Sequence, residues 1–460
     1  MHKFIILLFL CSVVSAGAQN FKIHDVLVSA PDAQIGDIEM DPYSKRVCSQ
    51  SMDNKLWVCR LDTVTWALVD PYGEETLVDS SLASLEHTVN GGEWGFDTSG
   101  VILTYTKVIN RVRHIAVAAE TPAGWLTTTL FDEPHRMNPH ATQNPEDTVI
   151  IIHYRRNPFS PNTKYKFLSD PYNEHGVPWF YDAHWSSSNQ VLTGILFNEQ
   201  VGLFNPYAPT LPVQITDNPS VDYSIPRMWR APEHLNARML MARANHEEIH
   251  IYKELVRGSN DFSLYMQFSS PSQNPLYDKI ASPEVVIYGQ QSYITFMVSS
   301  SPYENAHVPA EIWIAEIDSM NPVFRMISDT SVSIRTDPEP FPTSERLLVY
   351  YTEVLNPSMS EPIYRIRKCE TGILANPYTL LPESRHARGG SLVYPNPFQS
   401  RLFLWEPAGN EVFQLSNNRG QLIWSGNRLE EKDFSYLGRN EYFLRIMREN
   451  HVETVTVIKE

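Results

Sequence analysis

The feature that most constrains this chain is a four-run unit that returns at intervals of roughly 45 to 56 residues. Its clearest copy occupies residues 281–327. Runs at 282–287, 292–299, 310–317 and 323–327 are rich in β-branched and aromatic residues, with Gly289 and a Ser/Pro/Asn cluster at 299–306 between them. Each run is short enough for a strand and too short for a helix with a buried face. Four such strands in sequential antiparallel order make one blade of a β-propeller.

The copies can be followed along the chain. First strands are expected at 36–40, 92–96, 138–142, 182–185, 226–229, 282–287 and 337–341. Second strands follow at 46–51, 101–107, 148–154, 191–197, 238–243, 292–299 and 346–354. That makes seven repeats. The third has a poorly marked fourth strand, so a six-bladed ring stays open. A lone strand at 21–29 precedes the first repeat, while the last repeat has only three clear strands. A ring that leaves its first and last sheets unjoined exposes two strand edges. Residues 21–29 are therefore expected to pair antiparallel with 362–369, or 372–380 to serve instead. Hairpins such as Met40-Asp41-Pro42-Tyr43-Ser44 and Phe96-Asp97-Thr98-Ser99-Gly100 resemble those of TolB-like and WD-repeat-like propellers. The propeller is assigned residues 19–380.

The two ends read differently. His2 and Lys3, an apolar run at 4–14 and the small residues Ala16-Gly17-Ala18 make residues 1–18 a signal peptide. No later apolar stretch is long enough to span a bilayer. At the other end, residues 381–390 read as a linker and 391–460 as a compact all-β segment of Ig-like sandwich type. Its carriers are Tyr394-Pro395-Asn396-Pro397, the Gly420 turn, Leu437-Gly438 before Tyr442-Phe443-Leu444, and Val457-Ile458-Lys459. In these it resembles the C-terminal sorting domain of type IX secretion cargo from Bacteroidetes, although Asn440-Glu441 stand where that family usually has Gly. The resemblance implies export through the periplasm to the cell surface or the extracellular space, with the type IX machinery as a partner.

Charge narrows the partners. With 37 basic and 53 acidic side chains the net charge is -16, and no basic stripe offers a nucleic-acid footprint. The expectation is a monomer with no cofactor and an extracellular glycan or protein as ligand. Among the cysteines, Cys48 and Cys59 face each other if Asp53-Asn54 is a two-residue hairpin loop. A disulfide is then open to them in an oxidising compartment, although that register makes them a hydrogen-bonded pair, wider than a disulfide prefers.

Three sets of residues can carry chemistry. Four first strands open with a Pro between polar or apolar partners: Asn138-Pro139-His140, Ile225-Pro226-Arg227, Ser282-Pro283-Glu284 and Asp337-Pro338-Glu339. Asp182-Ala183-His184, Glu93 and Asp37 stand at the matching places. First strands line a propeller's channel, so His140, His184, Arg227, Glu284 and Glu339 are candidate ligand-binding residues, or else groups that satisfy one another and bound water. The Ser-Pro-Glu and Asp-Pro-Glu openings also look like those of five-bladed glycoside hydrolases such as the arabinanases. That resemblance implies acid and base roles for Glu284, Asp337 and Glu339, against a repeat count above five. Finally, His246-Glu247-Glu248-Ile249-His250 matches the zinc pattern His-Glu-x-x-His. On a helix it would present His246 and His250 to a metal with Glu247 as base. Its place between two expected strands points to a hairpin. There is no Gly-x-Ser-x-Gly elbow and no phosphate-cradling glycine loop.

Overall fold

A computed structural model describes residues 24–374 except 42–43, 85–90, 98–99, 131–134, 143–149, 156–162, 187–190, 235, 257, 304–305, 318–321 and 358–361. It also describes residues 393–459 except 395–399, 405–410, 418–420, 431 and 449–450. The expected leader at 1–18, the linker at 381–390, the Pro395-Asn396-Pro397 opening and the Gly420 turn lie outside the described residues.

Between residues 24 and 374 the described strands form seven four-stranded antiparallel sheets. Their first strands are Ile35–Met40, Glu93–Asp97, Arg136–Ala141, Phe180–Ser186, Tyr223–Ala231, Lys279–Tyr288 and Ile334–Pro342, for sheets one to seven. In sheets one to six the next three strands are added outward in chain order. Each first strand touches the next, and the first strand of sheet seven touches that of sheet one. A closed cycle of edge strands, with the other strands radiating from it, is the geometry of a β-propeller. Sheet three has its fourth strand, Asp170–Val177, where the sequence marks it poorly.

Every junction between neighbouring sheets has its own apolar core. Trp229, Met239 and Ile249 of sheet five meet Ile280, Ile294 and Phe296 of sheet six. Ala281, Met297 and Ile312 meet Leu347, Val349 and Tyr351 of sheet seven. Inner strands are thus covered on both faces, which explains why Gln291–Ser299 shows no alternation and is buried after its first residue. The outer strand Gly124–Thr129 alternates between exposed and half-buried instead.

The ring closes through the N-terminal strand. His24–Leu27 pairs antiparallel with Ile363–Leu374, in the register Asp25 to Cys369 and Leu27 to Arg367. Val28, Ala30 and Ala33 then enter the core between sheets seven and one. This is the closure expected for 21–29, and residues 372–374 instead extend the third strand of sheet seven.

The disulfide expectation fails by one residue of register. Residues 52–54 form the loop, not Asp53-Asn54 alone: Ser51 N–H donates to Lys55 O at 2.9 Å and Asn54 N–H to Ser51 O at 2.9 Å. Cys48 therefore pairs with Val58, and Cys59 with Val47. A one-residue slip sends the two side chains to opposite faces of the sheet. Cys59 enters the core shared with sheet seven and Cys48 the core shared with sheet two, and both are free thiols, as is Cys369.

In the C-terminal region a four-stranded sheet contains Leu422–Gly426, Val412–Asn417, Asn440–Arg448 and His451–Lys459, in that spatial order. A two-stranded sheet, Val393–Tyr394 with Phe403–Leu404, lies beside it, and Val393 joins Phe413, Leu415, Leu444 and Val457 in one core. Tyr442 donates its hydroxyl to Gly438 O at 2.8 Å, tying together two of the residues that carry the sorting-domain resemblance.

Candidate functional site: a ring of first-strand side chains

A left-handed kink recurs in the first strands. Asp37, Asn138, Asp182, Ile225, Ser282 and Asp337 all have φ between 46° and 57°. At each one the ladder slips: the register jumps between Gly36 and Glu39, Met137 and His140, Tyr181 and His184, Ser224 and Arg227, Ala281 and Glu284, and Thr336 and Glu339. A non-glycine residue in this region costs about 1–2 kcal/mol, and a β-branched one such as Ile225 is the most unusual. In four sheets Pro follows the kinked residue. Proline brings no N–H, so the interrupted ladder loses no donor there. Sheet two has Gly91-Gly92 at this place, just ahead of its first strand.

Bonds between neighbouring sheets hold the kinks. The Asp182 carboxylate accepts the Ile225 N–H of the next sheet at 2.5 Å, and the Asp37 carboxylate accepts the Gly91 N–H of sheet two. A second link lies one step on. Thr193 Oγ1 donates to Pro226 O at 2.9 Å, and Thr295 Oγ1 to Pro338 O at 3.5 Å. Cys48 Sγ makes the corresponding contact with Gly92 O at 3.1 Å. The cysteine once expected in a disulfide thus holds the place that threonine holds in sheets four and six.

The residue two places after each kink is Glu39, His140, His184, Arg227, Glu284 or Glu339, and Glu93 completes the series in sheet two. All seven are half-buried. Around the ring, Glu93 lies 3.3 Å from His140 Nδ1, and the His140 and His184 rings meet edge-on with centroids 5.4 Å apart. His184 Nε2 lies 3.2 Å from Asp182 Oδ1. Arg227 makes a two-pronged ion pair with Glu284. Interactions also cross the ring: the Arg227 guanidinium of sheet five feels Glu93 of sheet two. The five candidates His140, His184, Arg227, Glu284 and Glu339 are therefore brought together.

Sequence reasoning misplaced one member. It took Asp37 as the contribution of sheet one, but the Asp37 carboxylate is turned to backbone and Glu39 occupies the ring position. The signal was available: Asp37-Ile38-Glu39 repeats the spacing of Asp182-Ala183-His184 and Asp337-Pro338-Glu339. Asp337 likewise stands at the kink rather than at the ring position, two residues before Glu339.

The ring is electrically uneven. Burial, then Glu339 and Glu93, pushes the Glu39 carboxyl well above the usual carboxylate range. Burial, then Glu284 and Glu93, does the same to Glu339. Both keep some surface open to the channel, but protein groups enclose them on the other sides, so their charge is poorly hydrated. Burial works against the charge of Arg227, yet Glu284 and Asp182 hold it firmly protonated. The arrangement sets two carboxyls biased toward their protonated form beside the ion pair of Arg227 and Glu284.

The zinc pattern does not form its helix. Ala237–Ala244 and Glu248–Glu254 are adjacent strands, and Asn245 and His246 have φ of 50° and 62° in the turn between them. His246 and His250 therefore do not share a helical face. His250 is buried, its Nε2 2.8 Å from Glu248 Oε2 and its Nδ1 3.4 Å from the Tyr223 hydroxyl. Glu247 pairs with Lys279. Among the described residues no group of three or more His, Cys, Asp or Glu side chains is arranged to hold a metal ion.

No protein-family model and no curated protein matches the chain. Among solved structures it is similar to the β-propeller domain of Myceliophteria thermophila Cps50 (Swd1), at 10% identity over 75% of this chain and 99% of that one, with a TM-score of 0.48. It is also similar to a protein from Lactobacillus plantarum, at 10% identity over 72% of this chain and 98% of that one, with a TM-score of 0.44. The propeller assignment rests on the sheet order and the closed cycle of first strands. Among the described residues no helix is long and apolar enough to cross a membrane.

Proposed function

We propose that this chain is an exported, seven-bladed β-propeller protein that binds an extracellular ligand, glycan or protein, at the ring of first-strand side chains. The observation that carries the reading is the convergence of Glu39, Glu93, His140, His184, Arg227, Glu284 and Glu339, one from each sheet, on a half-buried ring. Mixed donors and acceptors at one end of a concave channel suit a polar ligand. Residues 391–460, read as an Ig-like type IX sorting domain, would carry the protein through the periplasm to the cell surface or into the medium. The support there is the sequence resemblance, together with one core shared by two β-sheets.

Two experiments test the proposal. The purified chain is screened against arrays of glycans and of extracellular proteins, alongside Arg227→Ala and Glu39→Gln. The expected result is a ligand whose binding falls at least tenfold in both variants while melting stays cooperative. Binding unaffected by either variant would reject the ring as the site. For export, deletion of 391–460 should leave a folded propeller in the periplasm, and surface display without those residues would reject the sorting role.

A second reading, glycoside hydrolysis, has one observation in its favour. Glu339, held toward its protonated form, neighbours Glu284, which pairs with Arg227. One carboxyl biased toward its protonated form and one ion-paired carboxyl resemble the acid and the charged partner that such chemistry uses. Release of sugar from arabinan or a related polysaccharide, abolished in Glu339→Gln, would establish it in place of simple binding.

A further inference from the structure

Two tryptophans hold the left-handed backbone conformation that tryptophan rarely adopts: Trp66 at φ 58° and Trp179 at φ 57°. Their surroundings differ. Trp66 is 4% exposed, sits edge-on against Phe341 at 5.4 Å, and belongs to the core between sheets seven and one. Packing repays its strain. Trp179 is 59% exposed, and its ring meets that of Phe197, itself 67% exposed, edge-on at 5.2 Å. Trp179 has no comparable burial, and a residue in a sparsely populated conformation whose ring stays open to solvent is a candidate for a use beyond packing.

The position of the pair is informative. Trp179 directly precedes Phe180–Ser186, the channel-lining strand of sheet four, and so stands at the end of the channel wall. His184 of the ring lies five residues along, about 15 Å at the usual rise of a strand. Phe197 follows the neighbouring strand Val191–Leu196 at the same end. Polar groups flank the rings: Asn198 donates to Gln214 Oε1 at 3.1 Å, and Tyr181 donates its hydroxyl to Glu199.

From this geometry we infer a saccharide-binding subsite at the channel rim, with Trp179 and Phe197 as its stacking platform. The exposed area decides the occupant. Large aromatic side chains present about 150–250 Å² each when fully open. Two that are about three-fifths open leave roughly 200–300 Å², well short of the about 800 Å² per partner of a stable protein interface. It is enough to cover one face of a sugar ring, whose C–H groups stack on an aromatic face while its hydroxyls reach polar neighbours. The inference rests on the binding reading above and names its ligand class: a saccharide chain that stacks at the rim and extends toward the ring.

Affinity electrophoresis of the full chain through gels containing soluble arabinan, xyloglucan, laminarin or mucin tests it. The variants are Trp179→Gly, Trp179→Phe and Phe197→Ala. Glycine adopts positive φ at no steric cost, so Trp179→Gly should melt at or above the parent temperature. It should lose retardation by at least tenfold, with Phe197→Ala weaker and Trp179→Phe largely retained. A platform that is only structural would lower melting in Trp179→Gly and leave retardation unchanged. Failure of the parent to be retarded by any of these polysaccharides would overturn the saccharide inference while leaving the ring open to other ligands. Conversion of a self-associating parent to a monomer by Trp179→Gly would also overturn it, assigning the patch to a second copy.

Discussion

Asp25 is the latch of the closing strand, and Asp25→Ala tests the closure quantitatively. Its side chain is fully buried and accepts from three donors on other segments: Arg367 Nε at 2.9 Å, the Tyr351 hydroxyl at 2.8 Å and the Asp329 N–H at 2.9 Å. Removing one partner of a buried ion pair costs about 3–5 kcal/mol, because the other charge stays behind. Here the lower end applies, since Arg367 keeps Asp329 at 3.3 Å and Glu353 at 3.5 Å. An unfolding entropy of about 2.1 cal/mol/K per residue makes roughly 0.7 kcal/mol/K for a domain spanning residues 24–374. A loss of about 3 kcal/mol then lowers Tm by about 4 °C. The loss should be local as well: in hydrogen exchange, amides of Ile363–Leu374 that pair with His24–Leu27 should lose protection, while those of sheet four stay unchanged. Freed of its outer strand, that edge should also promote association at high concentration. Asp25→Ala that melts with the parent, or lost protection spread evenly over the ring, would refute a closure held at this residue.

Three further outcomes follow from the same geometry. Thiol titration of the unfolded chain without reductant should find Cys48, Cys59 and Cys369 all free, and Cys48→Thr should keep the contact to Gly92 O and melt within about 1 °C of the parent; a disulfide in the secreted protein would contradict the register. The purified protein should hold no stoichiometric zinc, while His250→Ala should cost about 0.5–3 kcal/mol by emptying a buried strand position, since Tyr223 keeps its bond to Tyr252; one tightly bound zinc per chain lost in His246→Ala would overturn the hairpin reading. Glu39 and Glu339 have carboxyls pushed upward in the folded state, first by burial and then by neighbouring carboxylates. The folded state therefore binds more protons than the unfolded one above the ordinary carboxylate value of about 4.3. Their contribution is fully present below that value and is lost as pH rises through the folded pKa. Glu39→Gln and Glu339→Gln should accordingly melt higher than the parent at pH 8 and close to it at pH 4; equal gains at both pH values would refute the charge argument.

Several second strands were legible as runs rich in β-branched and aromatic residues closed off by turn residues, as at Gln291–Ser299 and Arg346–Leu355. The second strand of sheet one was expected at 46–51 and forms at Arg46–Ser51. The closing role of the N-terminal strand was legible from arithmetic alone, one strand too many at the start and one too few at the end. Two details were hidden. The register of the Cys48 hairpin depends on whether its loop takes two residues or three, and Asn54 at φ 65° makes it three. The kink could not be read as a kink, because Asp37, Asn138, Ile225 and Ser282 share neither size nor polarity. Only the backbone conformation unites them. The choice between Asp37 and Glu39 was nonetheless legible from spacing, since Asp37-Ile38-Glu39 repeats Asp182-Ala183-His184.

The kink explains how one framework can carry Glu, His or Arg at its ring positions. Its cost is met by contacts that do not involve the ring side chain: the Asp37 and Asp182 carboxylates on backbone of the next sheet, and the hydroxyls or thiol of Thr193, Thr295 and Cys48 on the carbonyl before the next ring residue. Two chemistries are thereby separated in sequence by one residue. The kinked position and its cross-sheet partner hold neighbouring sheets together, and the position two further on is released to face the channel. Exchanging Glu, His and Arg at the released position alters charge while leaving the cross-sheet backbone bonds in place, although in sheet four His184 also contacts the other oxygen of the Asp182 carboxylate. It follows that Asp182→Ala should disturb packing between sheets four and five, whereas His184→Gln, whose amide can still donate to Asp182, should disturb chiefly what the channel binds. If His184→Gln instead lowered Tm as far as Asp182→Ala, ring and framework would not be separable, and the ring would be better understood as part of the core.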